Sequence, residues 1–90
     1  MTDTGIKLEE NERLDINYVI STINTADNLM RNISGMEGLT SDQYKEYLDG
    51  CAAVANRARV QLHELRKKFS EKYNVPYYAI YRDGEIFLNE

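Results

Sequence analysis

A chain of 90 residues, 42% apolar and 29% charged with a formal net charge of −4, reads as one folded domain near the lower size limit for independent stability rather than a disordered segment. Its mild acidity argues against a nucleic-acid ligand, because that affinity rests on neutralising many phosphates. A single cysteine excludes an internal disulfide, no apolar run approaches the roughly 18 residues of a membrane span, and MTDTGIKLEE lacks a basic and apolar leader, so the expected compartment is the cytoplasm.

Residues 1–10 show no periodicity and read as a mobile arm, with Ile6 and Leu8 as docking candidates. The pattern then predicts a first helix over about 11–34, because Ile16, Val19, Ile23, Ala26, Met30 and Ile33 recur at spacings of three and four. Asn17, Ser21, Thr22, Asn24, Thr25 and Asn28 make that helix weak on propensity, so packing must hold it. Asn32 to Ser34 fits a glycosylation sequon, which a reducing compartment makes a chance match.

Gly35 and Gly38 break the chain, and Thr40 with Gln43 has capping-box spacing. A second helix is expected over about 41–73, with Tyr44, Leu48, Cys51, Ala55, Ala58, Leu62, Leu65 and Phe69 as its apolar stripe. Gly50 weakens this helix by roughly 1 kcal/mol relative to alanine, and the expectation is that it does not break it. Asn74 and Pro76 end it.

The remaining residues, about 77–89, predict a β-hairpin turning on Asp83-Gly84, a pair suited to a two-residue type I′ turn. In that register Arg82 faces Glu85, Tyr81 faces Ile86, Ile80 faces Phe87 and Ala79 faces Leu88. Both faces of the ribbon are apolar. The second helix, at roughly 48 Å against roughly 33 Å for the first, overhangs at the end carrying Leu65 and Phe69, where the hairpin can fold back. The other face is then left for a partner or a second copy, and Tyr77, Tyr78, Tyr81, Ile86 and Leu88 are the predicted partner or self-association residues; the competing reading is that Tyr77, Tyr78 and Tyr81 wrap over the two helices as core.

Arg59, His63 and Arg66 fall on one stripe of the second helix and are the candidates for binding an anion or an acidic partner, since guanidinium forks match carboxylate and phosphate. Cationic residues toward a helix C-terminus are also favoured by the helix dipole, and a solvated or internally paired row is the competing reading. Cys51 reads as a buried structural residue and His63 as solvated. One His, one Cys and scattered carboxylates assemble no metal-ligand spacing and no nucleophile pair, and GMEG lacks the lysine and hydroxyl of a phosphate loop.

The sequence thus predicts an α+β domain, mainly α: an antiparallel helical hairpin followed by a C-terminal two-stranded β-hairpin. The expected function is non-enzymatic, a small protein-binding regulator or inhibitor with no cofactor and no metal, acting as a homo-oligomer that presents either the tyrosine hairpin or the acidic and polar outer face of the first helix to a protein partner. In size and style the chain looks like phage or mobile-element accessory proteins, including inhibitors of bacterial defence systems, and no motif carries that likeness. The alternative is an oligomeric helical hairpin that sequesters a small anionic ligand such as a cyclic nucleotide, as some phage proteins of similar architecture do. There Arg59, His63 and Arg66 would meet tyrosines from a neighbour.

Overall fold

The structure is a computed structural model that describes residues 1–89. In chain order it contains β1 (Thr2–Lys7), α1 (Glu10–Asn32) with a 3-10 turn at Ile33–Gly35, α2 (Ser41–Tyr73), β2 (Ile80–Arg82) and β3 (Glu85–Leu88). The two helices form an antiparallel hairpin, and a three-stranded antiparallel sheet of order β1-β3-β2 closes one end. The mainly α, α+β architecture expected from the sequence is the one observed.

Local chemistry accounts for the boundaries. The Glu12 carboxylate turns back to accept the Glu9 amide at 3.0 Å, and Glu10 and Glu12 place negative charge at the positive end of α1. At the start of α2 the reciprocal box forms: the Gln43 amide donates to Thr40 Oγ1 at 3.1 Å, and the Thr40 amide donates to Gln43 Oε1 at 3.0 Å. From there α2 runs unbroken through Gly50 to Tyr73, where Asn74 takes the left-handed conformation (φ 55°) that ends it.

The β-hairpin has the predicted register over Ile80↔Phe87, Tyr81↔Ile86 and Arg82↔Glu85. Asp83 and Gly84 both have positive φ, 52° and 80°, as a type I′ turn requires. The predicted pairing of Ala79 with Leu88 is absent from the β2–β3 register, because the Ala79 amide instead closes a turn onto the Pro76 carbonyl at 3.0 Å.

Two expectations are corrected. The arm at residues 1–10 is not loose: Thr2–Lys7 pairs with β3, the Thr4 hydroxyl donates to the Ile86 carbonyl at 2.7 Å, and the Leu8 amide donates to Gly84 O at 2.7 Å. Gly5 (φ 76°) lies where the register shifts between Asp3 and Lys7, and that irregularity hid the strand from a period-two search. Nor does the predicted interaction face of the hairpin stay outside. Tyr81 and Ile86 are buried with Leu8, Ile16, Phe69, Val75 and Ala79, and Leu88 packs partly buried against them. The hairpin does fold back over the α2 overhang, and the Phe69 and Tyr81 rings meet at 5.5 Å between centroids.

A buried carboxylate stitches the sheet end together. Glu12 is only 2% exposed, accepts Lys72 Nζ at 2.9 Å and accepts the Tyr73 hydroxyl. It thereby joins the first turn of α1 to the last turn of α2. Away from this end the interhelical core is made chiefly of Val19, Ala26, Ile33, Ala55 and Ala58, so two slender helices lie side by side with little thickness. The Cα radius of gyration is 16.5 Å with extents of 51 × 22 × 21 Å, against about 12 Å for a compact chain of this length. No described helix is long and apolar enough to cross a membrane.

Candidate functional site

The residues that end α2 create a rigid aromatic loop. After Asn74, the Val75 amide donates to Ser70 O at 3.2 Å and the Ser70 hydroxyl donates to Val75 O at 2.6 Å, which locks the chain as it leaves the helix. The turn from Pro76 to Ala79 then holds Tyr77 and Tyr78 at its two central positions, 45% and 67% exposed. Proline fixes φ at the entry, so the tyrosines project from a backbone with few alternatives.

Two α2 side chains, one turn apart, clamp this loop from below. Arg66 Nη1 donates to Ala79 O at 3.1 Å and to Tyr77 O at 3.4 Å, while its guanidinium carbon lies 5.9 Å from the centre of the Tyr81 ring. His63 Nδ1 shares a 2.7 Å hydrogen bond with the Tyr77 hydroxyl. Tyr77 is therefore oriented by the helix, whereas Tyr78 stands out beyond it. Beneath them the Tyr81 hydroxyl is enclosed without a hydrogen-bond partner among the described residues, and burial pushes its pKa above the ordinary 10 against the opposing charge of Arg66.

The predicted site residues thus sort into three places. Tyr77 and Tyr78 form the exposed loop, Tyr81 and Ile86 belong to the core, and Leu88 lies at its edge. The row Arg59, His63 and Arg66 does not act as one binding surface, because each has its own partner within the chain. Arg59 Nη2 reaches across the helices to Asp27 Oδ1 and Oδ2 at 3.1 and 3.3 Å, and Arg66 and His63 hold the tyrosine loop. His63 is exposed but hydrogen-bonded, and Cys51 is a free thiol, half-buried rather than enclosed. Among the described residues no group of His, Cys, Asp and Glu gathers in a way that could hold a metal ion.

Sequence reasoning missed the Glu12, Lys72 and Tyr73 contact. Glu12 precedes Ile16 and Val19 at helical spacing, which placed it on the buried stripe; its charge hid that assignment. Searches against family models, curated proteins and solved structures find no match to this chain.

Proposed function

We propose that the chain is a small non-enzymatic protein-binding regulator or inhibitor that presents the Tyr77–Tyr78 loop to a protein partner. The observation that carries this reading is the clamp: two exposed tyrosines, Tyr77 at 45% and Tyr78 at 67%, on a turn whose carbonyls and one hydroxyl are fixed by Arg66 and His63. Ring surface held in place before binding loses little entropy on docking, and tyrosine contributes contact area together with a polar tip. A regulator or inhibitor that works by occupying a partner's surface needs no further chemistry. Sequestration of a small anion would require Arg59 and Arg66 to release the contacts they already make, so protein binding is the preferred reading.

The test compares the wild type with Tyr77→Ser/Tyr78→Ser as bait in lysate of the native host, with thermal melting run alongside. The expected result is a captured protein whose recovery falls at least about tenfold for the variant while the melting temperature holds. Equal recovery by both baits would remove the loop as the contact.

A further inference from the structure

Of the groups that the exposed loop presents, the Tyr77 hydroxyl is the one tied to a titratable side chain. A phenol both donates and accepts; neutral imidazole carries one donor and one acceptor nitrogen, whereas imidazolium carries two donors. His63 Nδ1 lies 2.7 Å from the Tyr77 oxygen, so a single proton lies between them, and the atom that carries it sets what the hydroxyl offers outward. The two rings are tilted by 57° with centroids 5.3 Å apart, and they meet through these polar atoms rather than by stacking. Both side chains are exposed, so a docking partner would reach the hydroxyl and enclose it.

We propose that His63, through its protonation, sets the hydrogen-bonding sense of the Tyr77 tip and so selects the partner group that the loop accepts. This rests on the reading of the Tyr77–Tyr78 loop as the contact. With His63 neutral, the hydroxyl donates to Nδ1, because an imidazole nitrogen is a much stronger base than a phenol oxygen. The outward lone pairs of that oxygen are then what a partner meets, and they fit a donor such as a backbone N–H. With His63 protonated, Nδ1–H donates to the same oxygen. The hydroxyl proton turns outward and fits an acceptor such as a carboxylate. The change takes one proton from solvent onto Nδ1 and one rotation about the phenol C–O bond, and no heavy atom moves.

The surroundings let this proton act on the tip alone. On α2, Arg59 and Lys67 lie one turn before and after His63, Arg66 lies three residues on, and Glu64 is its neighbour in the chain. From α1 comes Asp27, held by Arg59 at 3.1 and 3.3 Å, and from the loop come Tyr77 and Tyr78. Among the described residues His63 makes no ion pair. Arginine and lysine keep their charge across about pH 5 to 8, the range in which histidine changes its own. The loop backbone is indifferent to that change, because Arg66 holds the Tyr77 and Ala79 carbonyls and the Ser70 hydroxyl holds Val75 O. Once a partner encloses the tip, a hydroxyl turned the wrong way leaves polar groups unpaired, which corresponds to about a tenfold loss of affinity.

Nitrogen-15 spectra of the His63 ring and carbon-13 spectra of the tyrosine Cζ atoms, recorded on the full chain across about pH 5 to 8, test the proposal. The expected neutral form has its proton on Nε2 and a bare Nδ1, and the Tyr77 Cζ signal should shift with the same midpoint as the imidazole. Tyr78, which has no such imidazole contact among the described residues, is the internal control, and in His63→Asn the Tyr77 signal should stay flat. A neutral His63 with its proton on Nδ1, or a Tyr77 signal indifferent to His63 protonation, would overturn the proposal, because the hydroxyl would then face the same way in both states. Repeating the lysate capture at about pH 6 and about pH 8 reads the consequence: the recovery by wild type relative to Tyr77→Phe should change at least about tenfold between the two, and a constant ratio would remove the selection. Absence of capture at both would remove the loop as the contact and the selection with it. The spectra need no partner, so they separate a failure of the His63 switch from a failure of the loop reading.

Discussion

Tyr81 and Glu12 are both buried polar side chains, and their substitution should act in opposite directions. The Tyr81 hydroxyl has lost water and gained no partner, which costs free energy that a phenylalanine would not incur. Tyr81→Phe keeps the ring against Phe69 and under Arg66 and should raise stability by up to about 1 kcal/mol in urea unfolding. Glu12→Gln should cost about 1–3 kcal/mol, because Tyr73 and Lys72 lose a charged acceptor in a buried place. Its pH dependence follows from the same contact. Burial alone would raise the Glu12 pKa, but the hydrogen bonds from Tyr73, Lys72 and the Glu9 amide, with the Lys72 charge, hold it below the ordinary 4.5. Burial, then the bond to Glu12, raises Tyr73 above its ordinary 10, and the bond to Glu12 is the main cause that raises Lys72. The stability tied to Glu12 is therefore complete above about pH 4.5 and fades as pH falls through its lowered pKa; that tied to Tyr73 and Lys72 is complete below pH 10 and fades as pH rises through theirs. Urea midpoints measured across pH should show both declines in the wild type and flatter limbs in Glu12→Gln.

The elements differ in how plainly they were written. Helix α2 was legible to its ends, because Thr40 and Gln43 cap it, its apolar stripe holds period, and Asn74 with Pro76 stops it. The hairpin turn was equally readable from Asp83-Gly84, where positive φ at both positions admits few residues. Strand β1 was not, since its pairing partner is some eighty residues away and Gly5 interrupts its alternation; only the docking of Ile6 and Leu8 was visible. Which face of the ribbon turns inward was also beyond the pattern, because both faces are apolar and the choice is expressed only in contacts with other elements, the packing on Ile16 and Phe69 and the bonds from Arg66 to the Tyr77 and Ala79 carbonyls. Removing residues 1–7 should strip β3 of one neighbour and uncover Ile86, lowering the melting temperature and speeding amide exchange in Glu85–Leu88 before α2 is affected. Gly50→Ala should do the reverse for α2. A Cβ there meets nothing within 4 Å, so the gain in helix propensity, about 0.5–1 kcal/mol, is not offset by a clash and should appear in the unfolding midpoint at low protein concentration.

At the scale of the molecule, the lack of thickness has a consequence for where stability lies. Two helices joined mainly through alanines and a few larger side chains leave one side of the hairpin bare along a 51 Å body, while the sheet seals only one end. Helix α1, whose serines, threonines and asparagines give it little intrinsic helical strength, is therefore held by its packing against α2 and by the Glu12 contact at the sheet end. Amide exchange should therefore be slowest at the sheet end, in the first turns of α1 and the last turns of α2, and should quicken along α1 toward Asn32. Equal protection along the whole of α1 would mean that its bare side is covered in solution.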